Sequence, residues 1–166
     1  MATKAKDRAP LSPPRTRYED DLYTWVEEQV ALLRAGRLSE VDALNVAEEL
    51  SDVGISELKG LRSSIAVLVQ HLLKWDYQPR RRSLSWMATV NEQRRQVQLA
   101  LEESPGLTSK LTTIVSDGYA SGLDKAVAET GLDYDTFPAA CPYSFEEMMA
   151  RPIVYEKPQR SRAKKR

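Results

Sequence analysis

Between His71 and Val97 the chain reads HLLKWDYQPRRRSLSWMATVNEQRRQV, a stretch that holds the only histidine, two of the three tryptophans and five arginines. Imidazole titrates near neutrality and serves acid/base chemistry, guanidinium and ammonium groups grip anions, and indole rings stack on cations or bases. His71, Lys74, Trp75, Gln78, Arg80, Arg81, Arg82, Trp86, Gln93 and Arg94 therefore form a candidate binding cluster. Their spacing matches no nucleophile–base pair, phosphate loop or metal motif, so no catalytic residue is assigned. A second candidate is the acidic set Glu48, Glu49 and Asp52. On one continuous helix Glu49 and His71 are 22 residues apart, or ~33 Å at 1.5 Å per residue, so they cannot share a metal or a proton. The single cysteine, Cys141, lacks a neighbouring base and reads as a packing residue. No metal and no cofactor is expected.

The elements that must position these groups are helical almost throughout. Asp21 and its acidic neighbours precede Leu22, Trp25, Val26, Gln29, Leu32 and Leu33, a three-to-four spacing that ends at Gly36. Ser39 with Asp42 imitates a capping box for a second, long helix, whose apolar spacing runs through Gly54 to a stop at Pro79. Ser83 caps a third helix ending near Ser104, and Pro105 opens a fourth from Leu107 to about Thr130, with Gly131 beyond its end. After an ordered loop, Ser144 and Glu147 box the start of one short helix. No alternating strand pattern appears. The expected fold is all-α, an antiparallel up-and-down bundle of about four main helices with a short C-terminal helix.

Antiparallel pairing across the turn at 78–82 sets Trp75 near Ser85, Lys74 near Trp86 and His71 near Thr89. The same count across Ser104 sets Trp86 opposite Gly122 and Val90 opposite Gly118, so that Gly118, Gly122 and Ala126 form a groove admitting the indole. His71 then reads as a hydrogen-bonded core histidine or as a pocket member. Trp25 falls near Glu49, where its indole N–H would satisfy a half-buried carboxylate, and Glu48, Glu49 and Asp52 would then be a structural network or a solvated face. Arg80–Arg82 suit the C-terminal end of the second helix, where the dipole favours positive charge; with Trp75 they also form a basic, aromatic tip.

A formal net charge of zero conceals a segregation. Residues 1–17 carry five Lys/Arg against one acid and residues 157–166 carry six with none, which leaves −10 on residues 18–156. The organisation expected is a disordered basic tail over 1–17, a helical domain over 18–150 and a second disordered basic tail over 151–166. No apolar run reaches the ~20 residues of a membrane span, and the N-terminus has no apolar signal core. A cytoplasmic protein with no membrane partner is expected.

The segments YEDDLYTWVEEQVALLRAG, NVAEELSDVG and HLLKWDYQP, followed by SW and NEQRR, resemble the bacterial family called domain of unknown function 29. The likeness covers roughly Tyr18 to Met149. It implies an all-helical fold and supplies no catalytic residues. One departure is visible at Ile55, where the family commonly carries Arg. The function expected is a non-enzymatic interaction module that presents the Trp75 and Arg80–Arg82 tip to a protein partner. The alternatives are an enzyme or small-ligand domain with a polar and aromatic pocket between the second and third helices, and nucleic-acid binding through the basic tails and tip.

Overall fold

The helix from Ala43 to Tyr77 dominates the architecture, since its later half is buried nearly all round: Leu61, Ile65, Ala66, Leu68, Val69, Gln70, Leu72, Leu73, Lys74 and Trp75 lie in the interior. A helix that is apolar on every side becomes the centre about which others pack. The computed structural model describes residues 16–155. They form α1 (Leu22–Arg34), α2 (Ala43–Tyr77), α3 (Leu84–Glu103), α4 (Leu111–Thr130) and α5 (Phe145–Ala150), with short 3-10 turns between them. Among the described residues there is no strand. The all-α class, the four long helices and the short fifth are as expected, and α2 passes through Gly54 without a break.

The chain divides into two compact units, Met1–Val53 and Gly54–Arg166, with the boundary inside α2. In the first unit, Asp21 caps α1 by accepting from the Thr24 amide at 3.1 Å. Gly36, at φ 69°, lets the chain reverse at its end: Gly36 N–H reaches Leu33 O and Arg37 N–H reaches Leu32 O. The cap of α2 is Asp42, not Ser39, whose residue belongs to a 3-10 turn at Leu38–Glu40. The interior of this unit is small, with Trp25, Gln29 and Leu32 buried.

The second unit holds the main core. The close approach of Lys74 to Trp86 shows α2 and α3 antiparallel, in the register read from the sequence. Ile65 meets Gly118, Val69 meets Gly122, and Gln78 reaches Thr130, so α4 runs parallel to α2 in an up-down-up order. The register expected for α4 is corrected here. Pro105–Lys110 forms 3-10 turns and α4 begins at Leu111, not Leu107. Gly118 and Gly122 consequently face α2 rather than Trp86: a Cβ on Gly122 would lie 2.6 Å from the Ala66 carbonyl oxygen and one on Gly118 2.7 Å from Ile65 Cγ2. Glycine here lets two backbones touch.

The segment after Gly131 closes the unit. Phe137 is buried and tilts against Tyr77 at 4.8 Å between ring centres, and the capping box on Ser144 forms as read from the sequence. Arg151–Tyr155, assigned by composition to the C-terminal tail, includes a buried Ile153 and an Arg151 paired with Asp76. At the other end Thr16 is held by Glu28. The rest of both basic tails lies outside the described residues.

Candidate functional site

Of the expected cluster around the end of α2, the structure brings Lys74 to Trp86 and Arg82 to Trp75, while His71, Gln78 and Arg94 are bonded to backbone carbonyls elsewhere. Lys74 is buried and donates to Glu129 of α4, while its ammonium lies 4.4 Å above the centre of the Trp86 ring. The Lys74 hydrogen bond holds Glu129 below the usual carboxylate range against a smaller opposing effect of burial. His71 is half-buried and its Nδ1 donates to the Val67 carbonyl at 2.9 Å, which fixes the neutral ring with the proton on Nδ1. Burial pushes its pKa down; the Val67 carbonyl opposes that, and the Lys74 charge adds to it.

Trp75 is 4% exposed and therefore no part of an accessible tip. Arg82 lies with its guanidinium 5.1 Å from the Trp75 ring centre and donates from Nε to the Trp75 carbonyl at 2.8 Å. That carbonyl belongs to the last turn of α2, which has no further N–H of its own to bond. Arg82 is thus a cap on the helix end, a role that spacing alone did not distinguish from ligand binding. Gln78 bonds the Thr130 carbonyl at 3.2 Å and ties α2 to the end of α4. Only Arg80 and Arg81 stand exposed, beside a shallow recess they share with Tyr77, Gln78 and Pro79.

Arg94 is also structural. Its Nε donates to Met148 O and its Nη2 to Arg151 O, both at 2.7 Å, satisfying carbonyls at the end of α5. Gln93 is half-buried beside it. Arg95, by contrast, pairs with Glu92 one turn away. Sequence reasoning missed the group that locks this corner: Asp76 accepts from both terminal nitrogens of Arg151 at 3.0 and 2.5 Å, and from the Tyr143 hydroxyl at 2.8 Å. Burial would raise the Asp76 pKa, and these hydrogen bonds outweigh it and bring it down. The partners lie 67 and 75 residues away in sequence, so no local signal could reveal them.

Of the acidic set, Glu49 is hydrogen-bonded and Glu48 and Asp52 face solvent. Glu49 accepts from the Tyr18 hydroxyl at 2.6 Å, a bond that raises the Tyr18 pKa to about 12. Trp25 instead bonds Asp42, and Glu48 and Asp52 are exposed. Among the described residues no group of three His, Cys, Asp or Glu could hold a metal ion. A recess of about 530 Å³ lies along α4 and the 139–143 segment, lined by small and apolar side chains including Val115, Leu123 and Cys141, away from the expected cluster. Burial raises the Cys141 thiol pKa, and its Sγ donates to Tyr143 O at 3.4 Å.

What remains open is an apolar face on the first unit. On α1 the buried residues Trp25, Gln29 and Leu32 share one side, and Leu22, Val26 and Leu33, which are 48%, 36% and 44% exposed, lie ~70° further round in the direction of increasing residue number. On α2 the side facing α1 carries Glu49 and the Asp42 cap, bonded to Tyr18 and Gln29. Val46, Leu50 and Val53 lie ~70° round from it in the same sense. Tyr18 meets Glu49 while Gln29 meets Asp42, so the pair is antiparallel. In an antiparallel pair, equal rotations of the same sense bring both stripes to one side. Leu50 and Val53 are 68% and 60% exposed there. Two apolar stripes thus border one groove of the α1–α2 hairpin.

Closed polar contacts in the second unit and an open apolar face on the first belong to a protein that is all-helical among its described residues. The chain belongs to the family described as Domain of unknown function DUF29, whose model matches residues 17–153. The match extends to Ile153, the residue that seats the C-terminal segment. No curated protein and no solved structure matches the chain. Among the described residues no helix is long and apolar enough to cross a membrane.

Proposed function

We propose that the protein is an interaction module whose binding surface is the apolar groove of the α1–α2 hairpin. The observation that carries this reading is the exposure of Leu22, Val26, Leu33, Leu50 and Val53 in two stripes on one side of a single hairpin. Scattered exposed apolar residues are ordinary on any protein, whereas stripes bordering one groove are characteristic of a surface that another chain covers. The Trp75 and Arg82 tip is a weaker candidate, because the ring is buried and the guanidinium caps a helix. The small-ligand alternative loses ground for a similar reason: Lys74 is closed on Glu129 and Trp86, and Gln78 on the Thr130 carbonyl.

The test compares proteins retained by the tagged full chain in its native host with those retained by two variants. Val26→Asn with Leu50→Asn removes apolar area from the groove and should lose the specifically retained proteins. Arg80→Ala with Arg81→Ala alters the exposed part of the tip and should keep them. The opposite pattern would return the interaction to the tip.

A further inference from the structure

We propose that the recess between residues 16–19, α1 and the start of α2 is a binding site for a cationic amino-acid residue, Lys or Arg, whose backbone carbonyl accepts from Gln29. The recess holds about 380 Å³, near the lower end of the ~300–1,000 Å³ usual for small-molecule sites, and its walls include Thr16, Tyr18, Trp25, Gln29, Asp42 and Asn45. The apolar groove is bordered by other residues, so the two surfaces are independent.

Gln29 is the residue that points to a ligand. It is 4% exposed, and its Oε1 accepts from the Asp42 N–H at 2.9 Å, which fixes the orientation of the amide. The other terminus, Nε2, has no hydrogen-bond partner among the described residues. No fully buried side-chain nitrogen or oxygen among those residues goes unbonded, so this donor opens to the recess that Gln29 lines. A donor in so closed a place calls for a fixed acceptor. Asn45 presents the complementary group. Its Nδ2 donates to Asp42 at 2.7 Å, and its Oδ1 is left without a partner among the described residues.

Charge sets the class of ligand. Three carboxylates at or beside the recess accept only from neutral donors: Asp42 from Asn45 and Trp25, Glu28 from Thr16, and Glu49 from Tyr18. The base on the wall, Arg17, lies 3.6 Å from Glu19, while Glu40 is taken up by Arg37. Three negative charges thus lack a counter-ion, and the potential inside the recess favours a cation. The Tyr18 ring, edge-on to Trp25 at 5.0 Å between centres, adds an aromatic wall of the kind that receives guanidinium or ammonium groups. A neutral ligand would leave the carboxylates uncompensated, and a bare cation would leave Gln29 Nε2 unbonded. Two sources supply a basic residue: a separate peptide, or residues 1–15 of this chain, which join at Thr16 and carry Lys4, Lys6, Arg8 and Arg15.

The experiment titrates N-acetyl-arginine amide, and its neutral isostere N-acetyl-citrulline amide, into the full chain while heteronuclear NMR follows the Gln29 side-chain amide and the Trp25 indole N–H. A second full chain carries Lys4→Gln, Lys6→Gln, Arg8→Gln and Arg15→Gln. The arginine compound should shift both resonances saturably, and the citrulline compound should bind at least ~10-fold more weakly. Asp42→Asn should weaken arginine binding ~10-fold; Asn caps a helix as well as Asp does, so circular dichroism should show unchanged helicity. Equal affinity in the two full chains would assign the site to a separate peptide. Binding that appears only in the substituted chain, whose Gln29 and Trp25 resonances have already moved before ligand is added, would assign it to the chain's own N-terminal residues. Absence of any shift at Gln29 in both chains would overturn the proposal, as would equal binding of the citrulline compound or indifference to Asp42→Asn.

Discussion

At the residue scale, Arg82 and His71 show how far side-chain type is from side-chain role. Arg82 belongs to the candidate binding cluster by its type and position, yet it spends its Nε on the Trp75 carbonyl and its planar face on the Trp75 ring. Arg82→Ala is expected to lower stability by ~1–2 kcal/mol in urea unfolding, through a lost hydrogen bond and an uncovered ring. Arg80→Ala and Arg81→Ala, on exposed side chains, should each change it by less than ~0.5 kcal/mol. His71 carries a pH prediction. Its folded pKa is lowered by burial, so near and below its ordinary value the unfolded chain binds more protons than the folded one, and stability falls as pH falls. Above the ordinary histidine pKa both states are neutral and the effect vanishes. Denaturation midpoints measured between about pH 5 and 7 should rise with pH for the native chain, and His71→Gln should flatten that rise. A rise unchanged by the substitution would place the titrating group elsewhere.

At the scale of elements, contact between α2 and α4 rests on glycine. A methyl group at Gly122 would meet the Ala66 carbonyl oxygen at 2.6 Å and Val69 at 3.0 Å, so it cannot be admitted without separating the helices. Alanine is the better helix former by about 1 kcal/mol, and a surface glycine-to-alanine change would therefore stabilise α4. Here the sign reverses: Gly122→Ala is expected to destabilise by ~1–3 kcal/mol in chemical denaturation. Gly54, with nothing within 4 Å of its absent side chain, is the internal control, and Gly54→Ala should be neutral or stabilising. Equal effects at the two positions would mean that α4 does not lie against α2 in this register.

For the whole molecule, the consequence is uneven stability along one continuous helix. In α2 every residue from Leu50 to Glu57 is exposed, whereas Leu61 to Trp75 carries the core of the second unit. The first unit buries only Trp25, Gln29 and Leu32 on α1. Local opening costs little where few apolar contacts are lost. Native-state hydrogen exchange should therefore show amides between residues 46 and 57 exchanging at least ~100-fold faster than those between 65 and 75. Uniform protection along α2 would show that the first unit is held as tightly as the second.

The sequence by itself determined the helices, because caps, glycines and apolar spacing act over a few residues: Asp21, Gly36, Ser83, Gly131 and the Ser144–Glu147 box all do what their local chemistry requires. It also determined the Lys74–Trp86 contact, since a short turn leaves two adjacent helices little freedom of register. Tertiary structure decided the rest. The 3-10 turns of Pro105–Lys110 advance the chain differently from an α-helix, so the glycines of α4 face Ile65 and Val69 rather than Trp86. Asp76, Tyr143 and Arg151 meet because the chain returns over the end of α2. The apolar groove on the hairpin was equally hidden in the pattern. Periodicity reports that a side of a helix is apolar, but whether that side is covered depends on where the neighbouring helix lies.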